Sequence, residues 1–299
     1  MTNAAEKFLL SLKDLFLWTI LTTTDNLRPV PRIAHLRHNT QIGFYYFAEH
    51  LSSKIAQIEK NPLATISIKP EKGFDSAVSH ISIRVSSDRK ILEEAWSDDM
   101  LKFGYTGKDD ERLCVLLVTV HSATFGKDFY EGSPIEPKTY EKIAQDELPP
   151  LAAGPFKTKE IEELIQTTFI PKKNTHLITM QVAMHNERIV CASYNKEVGL
   201  YAATSVNTNK VKEINTNPNV ALLVVDQQKQ DQIYVDAYAR ISTCPDLKKK
   251  IWQDNFKQQG FTGPDDANLV VILFTPRRII HRTMNAAPEV FVASECIEG

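Results

Sequence analysis

The sequence predicts a mainly β protein made of two copies of one small antiparallel barrel with short helices. Three observations carry that reading. A phrase is written twice, "SSKIAQIEKNP" from Ser52 and "TNKVKEINTNP" from Thr208. The 156 positions between Lys54 and Lys210 recur, without a gap, between Arg32 and Arg188, Gly43 and Gly199, Tyr45 and Tyr201, Arg84 and Arg240, and Trp96 and Trp252. Register kept over such a length marks a duplicated domain. Finally, Ile81, Ile83 and Val85 alternate with polar neighbours, and Ala237, Ala239 and Ile241 repeat the pattern of a half-buried strand.

Each copy reads helix, strands, short helix, strands, longer helix, final strand. The opening "AAEKFLLSLKDLFLW" has apolar residues at Phe8, Leu9, Leu12, Leu15 and Phe16, interrupted by Lys7, Lys13 and Asp14. That spacing predicts an amphipathic helix rather than a signal peptide. In the first copy the predicted strands are Trp18–Thr24, Arg32–Arg37, Ile42–Ala48, Leu63–Lys69, His80–Ser86 and Leu113–Val120. Asn61-Pro62 and Asn217-Pro218 end the short helix, because the residue before proline is pushed out of the α region. The longer helix carries Trp96 or Trp252, read as core residues. "GYTGKDD" or "GFTGPDD" then leads into a last apolar strand. Six short strands with few helices predict a barrel per copy. Pro134, Pro137, Pro149, Pro150 and Pro155 mark a linker too long for a simple turn. The expected boundaries are 1–126 for the first barrel, 127–159 for the linker, 160–284 for the second barrel and 285–299 for a C-terminal tail.

Composition narrows the function classes. Two domains with real cores fit into 299 residues. A net charge of -2 leaves no basic excess to neutralise phosphates, so a nucleic-acid partner is not expected. No apolar run approaches the roughly 20 residues of a membrane span, so no membrane is expected either. Cys114, Cys191, Cys244 and Cys296 form no CxxC pair, which predicts neither a zinc site nor a disulfide framework. A reducing, cytoplasmic setting follows.

The repeated phrase has two readings. Ser52 and Thr208 are good N-cap residues, and Ile55 and Ile58 can face a core, so a plain capped helix accounts for hydroxyls and aliphatics. It does not account for Lys54 and Lys210, each a cation facing the positive end of the helix dipole at a cost of roughly a few tenths of a kcal/mol. First-turn lysines can snorkel into water, or an anion from outside can reverse the sign of that term. Upstream, "RIAHLR" places Arg32 and Arg37 five apart, on opposite faces of a regular strand, so both meet one ligand only if the strand twists or ends between them. The second copy keeps Arg188 but has Ser193 in place of Arg37. A phosphate dianion is matched by a forked guanidinium, an ammonium and hydroxyl or amide donors.

Arg-x-x-x-Leu-basic, a strand, then Ser/Thr-x-Lys opening a short helix that ends in Asn-Pro resembles the pyridoxamine-phosphate-oxidase-like FMN-binding split barrels. The later Arg strand, the Trp-bearing helix and the Gly-x-x-Gly-x-Asp-Asp turn are similar to the general-stress-protein branch. The resemblance spans Trp18–Phe125 and Thr175–His281. It implies two tandem FMN-binding split β-barrels forming an internal pseudo-dimer, which leaves a monomer open, with FMN in the cleft and flavin-dependent oxidoreduction of a small molecule. The phosphate grip it implies is Arg32, Arg37, Ser52, Ser53 and Lys54 in the first copy, and Arg188, Thr204, Thr208, Asn209 and Lys210 in the second. Departures are Ala48 where the second copy has Thr204, Ser193 for the basic residue, no Trp closing "SATFG" or "RIIHR", and no Arg-Leu-Ala-Pro tail. The missing tail speaks against vitamin B6 synthesis. The alternatives are a non-enzymatic flavin- or ligand-binding stress protein and a haem-binding split barrel, in which His35 or His281 would serve the iron.

No nucleophile–base pair and no HExxH pattern occurs, so no residue is named as catalytic and no metal is expected. Asp109-Asp110 and Asp265-Asp266 read as solvated turns. A flavin carries its own redox chemistry, which makes this silence compatible with an enzyme.

Overall fold

The computed structural model describes residues 2–69, 75–135, 159–170, 174–181, 184–226, 231–283 and 288–292. The first repeat runs α1 (Ala4–Ser11), a 3-10 turn (Lys13–Trp18), β1 (Thr19–Asp25), β2 (Arg28–Ala34), β3 (Arg37–Asn39), β4 (Gly43–Glu49), α2 (Ser53–Lys60), β5 (Leu63–Ile68), β6 (Ala77–Ser86), α3 (Arg89–Ala95), a 3-10 turn (Asp98–Phe103), β7 (Leu113–Phe125) and β8 (Asp128–Glu131). The second runs α4 (Lys159–Thr168), β9 (Thr175–Gln181), β10 (Met184–Val190), β11 (Ser193–Asn195), β12 (Gly199–Ser205), α5 (Asn209–Thr216), β13 (Asn219–Asp226), β14 (Asp231–Ser242), α6 (Pro245–Ile251), a 3-10 turn (Asp254–Gln259), β15 (Leu269–Arg282) and β16 (Glu289–Val292).

Each repeat folds into an eight-stranded sheet. The first has the order β2-β1-β5-β6-β7-β4-β3 with β8 on β7, and the second the order β10-β9-β13-β14-β15-β12-β11 with β16 on β15. Pairing is antiparallel from β1 to β3 along the first path and from β9 to β11 along the second. Even the irregularity is duplicated. The β6–β7 register shifts between His80 and Ile81, and the β14–β15 register between Asp236 and Ala237. Gly43 and Gly199 both take positive φ where the chain turns into β4 or β12, a conformation a Cβ would strain.

The sixth pairing partner of each repeat is buried on both faces. Phe44, Tyr46 and Ala48 of β4 join Cys114 and Leu116 of β7 and Ile55 and Ile58 of α2 in one cluster. Tyr45 faces the other way, with Leu113 and Val115, against Leu92, Ala95 and Met100. The second repeat divides β12 likewise, Leu200 and Ala202 facing Ile214, and Tyr201 facing Ile251 and Phe256. Period-two alternation with apolar residues on both sides produces this two-sided burial. Each fully buried aliphatic contributes about 1.5–3 kcal/mol.

The structure corrects several expectations. The predicted strand Arg32–Arg37 is two strands, β2 and β3, because Leu36 is fully buried and its amide donates to the Phe16 carbonyl at 3.0 Å instead of to a ladder. Each sheet has eight strands, not six: the stretch read as linker begins with β8, and the stretch read as a tail supplies β16. Pro137, Pro149, Pro150, Pro155 and Cys296 lie outside the described residues. The longer helix is a short one followed by a 3-10 turn, with Trp96 and Trp252 at the C-caps of α3 and α6. Ser52 and Thr208 occupy N-cap positions, but neither side chain caps its helix.

The chain divides into two compact units, the first holding the described residues of 1–26 and 30–138 together with Met184 and His185. Within it His185 is fully buried, its Nε2 2.9 Å from Thr24 Oγ1 and its Nδ1 3.4 Å from Thr65 Oγ1. Burial, helped by the neighbouring His80, pushes this imidazole down to about 3. The folded chain therefore resists a proton that the unfolded chain accepts near its ordinary value of about 6.5. Stability from this site is full above that value and falls as pH drops from there toward 3. Urea midpoints measured from pH 7 to pH 4 should fall more steeply for the wild type than for His185→Gln. Equal slopes would count against the assignment.

Candidate functional site

In the first repeat, β2 and α2 converge on one guanidinium. Arg32 is buried, with Nη1 donating to Thr23 Oγ1 and Nη2 to Gln57 Oε1, both at 2.8 Å. The Thr23 hydroxyl also donates to Gln57 Oε1, at 2.6 Å. Gln57 stands three residues after Lys54, so it shares a helix face with that lysine. The second repeat builds the same junction from Arg188 on β10 and Glu213 on α5. Arg188 Nη1 donates to Thr179 Oγ1 at 2.6 Å and lies 2.7 Å from Glu213 Oε2. Thr179 donates to the same carboxylate oxygen, and Asn186 Nδ2 donates to Oε1 at 3.0 Å.

The lysines sit in the first turns. Lys54 Nζ is 3.4 Å from Ser52 Oγ, and Lys210 Nζ is 3.1 Å from Thr204 Oγ1. Burial, then the charge of Arg188, pushes the Lys210 ammonium below its ordinary value, while Glu213 pulls the other way. All three charges of the second repeat are thus close enough to sense one another. Ser52 Oγ donates to the Glu49 carbonyl at 2.7 Å and Thr208 Oγ1 to the Ser205 carbonyl at 2.9 Å. Both cap hydroxyls therefore turn back to the preceding turn, and neither takes a first-turn amide of its helix. Ser53 and Asn209 are the first residues of α2 and α5.

Arg37 is joined to a different set. It donates to Ser97 Oγ at 2.9 Å, pairs with the Asp99 carboxylate, and lies 5.5 Å from the centre of the Phe47 ring. Phe47 packs with Tyr45 on the α3 side of the sheet, whereas Ala48, Ile55 and Ile58 belong to the opposite cluster. Arg37 borders a cleft of about 470 Å³ that His35, Tyr45, Glu94, Trp96 and Ser97 also line. Ser193, its counterpart, is buried. The His35 imidazole is pushed down by burial and then by Arg37. Both ring nitrogens of His281 lie against carboxylates, Asp231 at 2.7 Å and Glu289 at 3.1 Å. Asp110 accepts from the Thr106 amide and pairs with Arg112, and Asp266 accepts from the amides of Thr262 and Asn268, so both serve their turns. Among the described residues no group of three His, Cys, Asp or Glu is placed to hold a metal ion.

Reading the phrase for its lysines missed Thr23, Gln57, Thr179 and Glu213. A signal was present: the constant offset sets Gln57 against Glu213, one of several charge changes along the repeated helix.

Comparison with known proteins agrees with this duplicated architecture. The family model described as "Pyridoxamine 5'-phosphate oxidase like" matches residues 3–128 and again residues 157–279. The chain belongs to the pyridoxamine 5'-phosphate oxidase-like family. One curated member, General stress protein 26 of Bacillus subtilis (strain 168), is 31% identical over 140 residues, 46% of this chain and 97% of that protein. The crystal structure of General Stress Protein 26 from Bacillus anthracis str. Sterne matches with a TM-score of 0.38 at 28% identity, over 44% of this chain and 96% of that one. A related protein from Clostridium acetobutylicum matches with a TM-score of 0.39 at 18% identity, over 46% and 94%. The family model thus matches this chain twice, and nearly all of General stress protein 26 aligns with just under half of it.

The Arg37 guanidinium, with lesser help from Ser97, holds the Asp99 carboxyl down at about 2. Its folded value lies below its unfolded one, so the pair contributes stability above the usual carboxylate range near 3.8 and loses it as pH falls toward 2. Asp99 is partly exposed, which limits the contribution to about 1 kcal/mol or less. Arg37→Ala should lower the urea midpoint at pH 7 slightly, in keeping with that contribution, and the deficit should shrink as pH falls toward 2. Urea titrations across that range check it, and a deficit of constant size would count against the pairing.

Proposed function

We propose that the chain is an FMN-binding flavoprotein acting as a flavin-dependent oxidoreductase on a small molecule. The observation that carries it is the twice-built junction. A strand arginine (Arg32 or Arg188) reaches the helix whose first turn carries a lysine (Lys54 or Lys210), and whose cap hydroxyl points away from that turn. First-turn amides without a side-chain cap, an ammonium and a forked guanidinium make a donor set suited to a phosphate dianion. Membership of a family named for a phosphate-bearing oxidase substrate supports the same reading.

The donor chemistry fits the FMN phosphate. Arg32, Lys54, Ser52 and Ser53 would hold it in the first repeat, and Arg188, Lys210, Thr204, Thr208 and Asn209 are the corresponding set in the second. When bound, the flavin ring supplies hydride and electron transfer. The chain's residues supply orientation. Arg32 is held between Thr23 and Gln57 before any ligand arrives, so little side-chain entropy remains to be lost on binding. Among the described residues no helix is long and apolar enough to cross a membrane. Scattered cysteines, of which Cys114, Cys191 and Cys244 are free thiols, favour a cytoplasmic setting.

The test is the visible spectrum of the purified protein after incubation with FMN and gel filtration. Wild type should retain a yellow flavin band. Lys54→Glu combined with Lys210→Glu should lose it while far-UV circular dichroism stays that of a folded β protein, since each lost charged hydrogen bond costs roughly 1.5–3 kcal/mol of binding. A Soret band in place of the flavin band, or retention unchanged in the double variant, would refute the proposal.

A further inference from the structure

The two junctions share a backbone and differ in one charge. Gln57 and Glu213 occupy corresponding positions of α2 and α5, and each meets the arginine of its own repeat. In the first repeat the helix offers Arg32 a neutral amide oxygen. In the second it offers Arg188 a carboxylate, which accepts from Arg188 and Thr179 on one oxygen and from Asn186 on the other. Asn186 corresponds to Val30 of the first repeat, which has no amide to give. Glu213 is itself buried, so its charge is poorly screened. Lys210 feels that charge and is hydrogen-bonded to Thr204, where the first repeat has Ala48.

We infer that Glu213 is a built-in counter-anion that closes the second repeat's grip to phosphate, so that the chain takes one FMN, through the first repeat. The inference rests on the phosphate-grip reading above. A phosphate dianion entering the second junction meets a fixed carboxylate already using the arginine, so it must both displace that pair and tolerate a like charge. The Asn186 amide and the Thr179 hydroxyl hold the carboxylate in place and oppose the displacement. In the first junction the residue at the same position carries no charge, and an arriving phosphate meets no such repulsion from α2. The asymmetry is larger than a difference in the number of donors, because Glu213 adds a like-charge repulsion that Gln57 lacks.

The experiment is titration of flavin-free protein with FMN, followed by quenching of flavin fluorescence, with stoichiometry read from equilibrium dialysis. Wild type should bind one FMN per chain. Glu213→Gln, which copies the first repeat, should bind two, the second within about tenfold of the first. Gln57→Glu, which copies the second repeat, should weaken the wild-type site by tenfold or more. Circular dichroism monitors folding, and Gln57→Glu decides alone if Glu213→Gln fails to fold. Two sites of equal affinity in the wild type, unchanged in Glu213→Gln, would overturn the role of Glu213 and leave the flavin reading standing. Full retention by Gln57→Glu would also overturn it. No FMN bound by wild type or by Glu213→Gln would overturn both.

Discussion

In each repeat a strand guanidinium, buried at Arg32 and half-buried at Arg188, takes its hydrogen-bond partners from the next strand and the short helix, and the placement of that helix is tied to it. Arg32 and Arg188 rise from equivalent strands, and both are satisfied by a threonine of the neighbouring strand and a polar side chain of the helix. Leaving such a group unpaired costs more than the bond itself is worth, so strand and helix are locked in register to each other. Ile55 and Ile58 hold the other side of α2 in the core. Between the apolar contacts on one side and the arginine on the other, the helix has little freedom, and its first turn is delivered to the same place in both repeats.

That delivery lets chemistry diverge without cost to the fold. The backbone elements coincide at the constant offset, down to the sheet irregularities at His80/Ile81 and Asp236/Ala237. The polar side chains do not coincide. Gln57 stands against Glu213, Ala48 against Thr204, and Arg37 against Ser193. Of these, Ala48 belongs to the apolar alternation of β4, and the other two positions stand outside it. A duplicated domain with one retained skeleton and two different charge patterns can therefore hold ligands unequally while both halves fold alike.

Much of this was legible in the residues. Alternation at Ile81, Ile83 and Val85 located β6, because burial on one face imposes a period of two. Asn61-Pro62 and Asn217-Pro218 marked the ends of α2 and α5, because proline acts on the residue beside it. The break between β2 and β3 was not legible, since it depends on Leu36 entering the core and its amide meeting Phe16, far back in the chain. Nor was the company of Arg37: its spacing from Arg32 set the two on opposite faces, but its partner Asp99 lies sixty-two residues on.

By itself the sequence determined the duplication, the β-rich class and the ends of the short helices, since the constant offset, periodicity and proline are all written in the residues. The tertiary structure alone decided which polar side chains meet. A guanidinium or carboxylate takes its partner by proximity in space, and Thr23, Gln57, Thr179 and Glu213 reach their arginines only after sheet and helix have packed.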